Sequence, residues 1–186
     1  MNENGLWINV YALYDLKNAI IKIEDGTEPT ANSITVKIGE GTVSWTETVA
    51  RRYIKNRGVL DDVRNEDEEP LEVNFSFMLE YYMGTVSTGT GTSATVGVPS
   101  VMDALKQINA AEDWVSSDSD TCRPYAVNIV ITYTPTPSTC GDIETITIPD
   151  FRYESVPFDL NSPEAIVVTG KANVTEPIIV RTPQTT

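Results

Sequence analysis

Between residues 71 and 81 the sequence LEVNFSFMLEY alternates without a break. Leu71, Val73, Phe75, Phe77, Leu79 and Tyr81 fall on one side, and Glu72, Asn74, Ser76, Met78 and Glu80 on the other. Successive side chains of an extended backbone point to opposite faces, so this is a strand with one face buried. The run before it, TVSWTETV, also alternates, with Val43, Trp45 and Val49 against Thr42, Ser44, Thr46 and Thr48. Past Val49 the apolar face ends. The chain turns basic at Arg51, Arg52, Lys55 and Arg57, then acidic at Asp61, Asp62, Glu66, Asp67, Glu68 and Glu69, with Arg64 among the acids. A strand that stays extended after losing its apolar face has left the body of its domain. The pattern predicts one long hairpin over residues 42–82, whose projecting arm carries opposite charges on its two legs and meets another copy of the chain.

The remaining sequence supplies the body. Strands are predicted over residues 18–24 and 34–38, the second with Ile34, Val36 and Ile38 on one face and Gly39 and Gly41 at the bend that follows. The apolar stretch 6–16 is either a terminal strand or a segment that packs on a neighbour. Residues 84–99, GTVSTGTGTSATVGVP, have the composition of a flexible loop. They lack the GxxxxGK[ST] pattern of a phosphate cradle. Val101, Leu105 and Ile108 recur at helical spacing in SVMDALKQINAA, which predicts a helix over 100–111, with Trp114 stapling its end to the body. The polar SSDSD at 116–120 lacks the glycine and terminal glutamate of an EF-hand and reads as a surface loop. Further strands follow at 125–133, at 143–148 and at 151–158 after an interruption at Pro149, and at 166–174, ahead of a frayed tail at 181–186. About eight strands and one helix in 186 residues make a single mainly β domain: two packed antiparallel sheets with a flanking helix and the projecting hairpin.

Composition narrows the function. The chain has no histidine, so Ser–His–Asp and Cys–His relays cannot be assembled from it, and its carboxylates gather in the charged arm rather than in a pocket. No catalytic role, cofactor or metal site is expected. Two cysteines, Cys122 and Cys140, without histidine do not make a zinc site and are read as free thiols or a disulfide. A net charge of −14 disfavours ordinary nucleic-acid binding. No apolar run is long enough for a membrane span, and the N-terminus does not read as a signal peptide. The polar row Glu72, Asn74, Ser76 and Glu80 is the wet face of a sandwich or, if copies join edge to edge into a ring, the lining of a channel.

In architecture, a strand pair, a long charged hairpin, a loop, one helix and then a run of strands, the chain resembles the tail tube proteins of tailed bacteriophages. The resemblance covers roughly residues 34–174. It includes the stretches SWTETVARRYIKNRGVLDDVRNEDEEPLEVNF, VMDALK, PDFRYE and VTGKANV. It implies two packed sheets with a flanking helix, and hexameric rings stacked into a hollow tube of the virion, assembled in the host cytoplasm. The hairpin would contact the adjacent ring, and an acidic lumen would let DNA slide without specific binding. Terminator, baseplate and sheath proteins would be its other partners. A tail terminator, a baseplate hub protein and a β-sandwich binding module or adhesin are the alternatives, and a binding module would stay monomeric.

Overall fold

A computed structural model describes residues 19–36, 43–77, 99–135, 141–157 and 166–183. Several expectations lie outside these residues: the segment 1–17, the bend at Gly39 and Gly41, the end of the alternating strand with Glu80, most of the Gly/Thr-rich loop, Cys140 and the tail from Gln184.

The fold is mainly β, with two antiparallel sheets and, among the described residues, one α-helix. The strands are β1 (Ala19–Glu24), β2 (Ser33–Val36), β3 (Val43–Thr46), β4 (Arg51–Asn56), β5 (Val59–Asn65), β6 (Leu71–Phe77), β7 (Val127–Tyr133), β8 (Ile143–Ser155), β9 (Ile166–Ala172) and β10 (Ile178–Thr182). The larger sheet runs β2-β1-β7-β8-β9-β6-β3, and β10 pairs with β8 off this path. The second sheet is the pair β4-β5 alone. One core takes the inward side chains of six strands, including Ile21, Ile34, Phe75, Ile129, Ile148 and Val168, and is covered by Val101, Ala104 and Leu105 of the helix. The alternation in β6 lands as read: Leu71, Val73, Phe75 and Phe77 are all buried, and Phe75 meets Phe151 edge to face at 5.8 Å.

Strand β8 joins three partners. It pairs with β7 over residues 144–151, while its other side takes β10 over residues 143–147 and β9 over 151–155. Pro149 does not interrupt it, contrary to expectation. The ladder passes from Ile129↔Ile148 to Val127↔Phe151, which leaves a bulge at Pro149 and Asp150. Asp150 adopts a positive φ of 53°, and its N–H goes to the Asn128 side chain at 3.2 Å. A bulge is where a strand accommodates a residue that cannot donate to the ladder.

The helix is shorter than predicted. α1 spans Val101–Lys106, opened by a capping box in which Ser100 Oγ accepts from the Asp103 N–H and an Asp103 carboxylate oxygen accepts from the Ser100 N–H. Gln107 and Asn109 take left-handed backbone (φ 53° and 51°), which ends the helix before Ile108 and leaves only a 3₁₀ turn, Asn109–Ala111. Their side chains hold the break: Gln107 Nε2 donates to the Trp114 carbonyl at 2.7 Å, and Asn109 Nδ2 to Asp103 at 2.8 Å. Trp114 is buried, as the staple required. The frayed tail is also corrected. Arg181 and Thr182 belong to β10, where Arg181 lies across from Glu144 and its Nε meets that carboxylate at 2.9 Å.

Candidate functional site

The arm is the two-stranded sheet β4-β5. It turns at Arg57 and Gly58, both at positive φ, and is closed at its root by the Glu66 N–H donating to the Ala50 carbonyl at 3.0 Å. Every residue from Arg51 to Asn65 is exposed except Ile54, which is half-buried. Among the described residues neither strand pairs with any other strand. The register sets its two faces. Arg51↔Asn65, Tyr53↔Val63 and Lys55↔Leu60 lie on one, and Arg52↔Arg64, Ile54↔Asp62 and Asn56↔Val59 on the other, with Asp61 bulged out.

This geometry changes the charge reading. The expected acidic leg is divided: Asp61 and Asp62 are on the arm with Arg64, whereas Glu66, Asp67, Glu68 and Glu69 follow β5 at the root. Residues 51–65 hold Arg51, Arg52, Lys55, Arg57 and Arg64 against two acids, a net charge of +3 on a chain of −14. Asp62 is taken by Arg64 at 2.8 Å. Among the described residues Arg51, Arg52, Lys55 and Arg57 form no ion pair. Sequence reading also missed the arm's apolar surface: Tyr53, Val59, Leu60 and Val63 are exposed by 59, 70, 54 and 44%. Alternation could not reveal it, because neither face of the arm is buried in the chain.

At the root lies an open cleft of about 840 Å³. Glu68, Glu69 and Pro70 line one side, and residues 173–179 the other, where the chain turns from β9 into β10. Ile178 and Ile179 are about half exposed. The sequence pointed to Glu68 and Glu69 as part of the arm but not to the 175–179 side of this surface, although the run IIV before Arg181 is a strand signal.

Of the polar row, Glu72 is exposed, Asn74 half-buried and Ser76 buried, so the row is not uniformly open in the single chain. Glu72 lies between Thr46 of β3 and Lys171 of β9, and Asn74 between Ser44 and Thr169. The outer face there is polar, with small side chains and one opposed pair of charges.

Two further polar clusters are satisfied within the chain. Asp25, 1% exposed, accepts from the N–H groups of Thr27, Asn32 and Val115, from Thr27 Oγ1 and from Asn32 Nδ2. Burial pushes its carboxyl up, but hydrogen bonds from Thr27, Asn32 and Val115 outweigh it and hold the group below its ordinary value. Tyr125 donates its hydroxyl to the Ala104 carbonyl, tying helix to sheet, and burial with the nearby Asp25 charge raises its pKa. The SSDSD segment is more than a solvated loop. Asp118 is buried, accepts from the Asp120 N–H and meets Arg152 at 2.7 Å and Arg123 at 3.3 Å. These contacts, the Asp120 N–H first, lower its pKa to about 2. Cys122 is an exposed free thiol. Among the described residues no group of acids, cysteines or histidines is arranged to hold a metal ion, and no helix is long and apolar enough to cross a membrane.

No protein-family model and no curated protein matches the chain. Among solved structures it is similar to the PVC sheath/tube terminator of an extracellular contractile injection system in its extended state, at 11% identity and a TM-score of 0.46. The match covers 91% of this chain and 97% of that one. A likeness of this degree leaves function to the chain's own residues.

Proposed function

We propose that the chain is a structural subunit of a phage-type tail, whose copies associate into hexameric rings that stack into a tube. The observation that carries this reading is the arm: a hairpin that, among the described residues, is bonded to no other strand and keeps four cations without an ionic partner and its apolar side chains exposed, on a chain that is otherwise acidic. A fifteen-residue element that buries almost nothing in its own chain contributes little to the stability of that chain, so its apolar and charged surface finds a use only against a partner. β2 and β3, at the two ends of the sheet, offer further backbone for joining copies edge to edge. The role is structural rather than catalytic. The subunit works in the virion beside other tail proteins, and DNA passes through without specific binding. With the outer face of β6 turned inward, Glu72 and its small polar neighbours give phosphates no dense row of cations to hold them.

Negative-stain electron microscopy of the purified protein tests this. Stacked rings or tubes are expected. A protein that stays monomeric across concentration and salt overturns the reading, and rings that never stack assign the chain to the end of a tube.

A further inference from the structure

The arm and the root cleft are complementary to one another. One face of the arm collects Arg51, Lys55, Tyr53, Leu60 and Val63, two cations around three exposed apolar side chains. The cleft sets the carboxylates of Glu68, Glu69 and Glu176 around Pro177, Ile178 and Ile179. Among the described residues those three glutamates form no ion pair. Charge and apolar surface therefore match in kind on the two sides, and among the described residues neither set of charges has an ionic partner. The outer half of the arm lies away from its own cleft. Glu68 follows the arm's last strand residue, Asn65, by three positions, so the cleft sits at the hinge end of a paired hairpin. Its tip lies roughly 17 Å or more further out, at about 3.3 Å per residue.

We propose that the arm of one copy docks in the root cleft of the next. Arg51 and Lys55 lie against Glu68, Glu69 and Glu176, and Tyr53, Leu60 and Val63 cover Ile178 and Ile179. The inference rests on the self-assembly reading and deepens it by naming the receiving surface. Because two different surfaces meet, the contact runs head to tail and repeats from copy to copy, the geometry that builds closed rings or continuing stacks.

Charge exchange with a face control tests it. Arg51→Glu with Lys55→Glu is expected to raise the concentration needed for assembly roughly tenfold or more, since each ~1.4 kcal/mol is a factor of ten. Arg52→Glu, on the opposite face, should change it far less. Glu68→Arg with Glu176→Arg should also impair assembly, and the combined four-site variant should recover it. Circular dichroism checks that each variant is folded. In a Cys122→Ser, Cys140→Ser background, mixing Tyr53→Cys with Ile179→Cys protein should give a disulfide-linked pair that neither gives alone. If the wild type assembles but the Arg51/Lys55 variant assembles equally well, or the four-site variant fails to recover, the docking is wrong and self-assembly stands. A wild type that never assembles removes both.

Discussion

The turn around Asp25 and the arm around Arg52 are both polar connections between strands, yet they treat charge in opposite ways. At Asp25 one buried carboxylate gathers five donors from three residues. On the arm, Arg52 stands across from Arg64 and four cations have no ionic partner among the described residues. Like charges directly opposed destabilise a strand pair, whereas a buried carboxylate is tolerable only when its hydrogen bonds are made. The Asp25 turn is thus complete by itself and the arm is not. That difference separates what the chain needs to fold from what it offers to a partner.

The sharpest way to break the comparison is to damage the body. Phe75 is 2% exposed and packs against Phe77 and Phe151. Phe75→Ala should lower stability by about 3–5 kcal/mol, read as a fall in denaturation midpoint. A midpoint equal to wild type would mean that β6 does not anchor the core. Asp25→Ala comes next. It strips the acceptor from three backbone N–H groups, and because Asn32 and Val115 are exposed and water can take their donors, the total loss should be about 1–3 kcal/mol. Asp25→Asn should recover part of the loss, because one side-chain oxygen still accepts. A silent Asp25→Ala would place this turn with the arm, as surface the fold does not need.

Acid sharpens the same contrast. Asp118 has its pKa lowered to about 2, through the Asp120 N–H and then Arg152, with Arg123 adding to the pull. A depressed folded value means that the contribution is present above the ordinary carboxylate range and lost as pH falls through about 2. Thermal midpoints measured from pH 5 down to pH 2 should therefore fall in the wild type, and less steeply in Asp118→Asn. Equal slopes would show that this ion pair does not tie the 116–120 segment to β8.

How much of this was legible follows the same division. Where one face of an element is buried, hydrophobic period reports it: β1, β7 and β9 sit within a residue or two of their expected positions, and β6 begins at Leu71 as expected. The helix was overextended because Ile108 keeps the apolar period, while the left-handed backbone at Gln107 and Asn109 depends on bonds to Trp114 and Asp103 made only after folding. Pro149 looked like a break because a bulge needs Asn128 from another strand to receive the Asp150 N–H. The SSDSD loop hid its anchor for the same reason, since Arg152 is 34 residues from Asp118. On the arm, charge was legible and shape was not. With both faces exposed there is no period to read, so Tyr53, Leu60 and Val63 passed unnoticed and the root acids were assigned to the arm's second leg.

The smallest expected effect on folding is the most informative about the arm. Tyr53→Ser with Leu60→Ser removes two exposed apolar side chains from an element that, among the described residues, pairs only with itself. Exposed substitutions away from structural contacts change stability by only about ±0.5 kcal/mol, so the denaturation midpoint of the dilute, unassembled protein should stay at the wild-type value. Removing apolar surface should meanwhile raise solubility, since Tyr53, Leu60 and Val63 form an uncovered patch on one face of the arm. The two readouts separate the possible roles of the arm. A midpoint that falls as far as in Asp25→Ala would mean the arm supports the body after all, and its exposed surface would no longer call for a partner. An unchanged midpoint together with impaired assembly would mean these side chains are kept for the contact between copies, which a fold selected for its own stability alone would have replaced with polar ones.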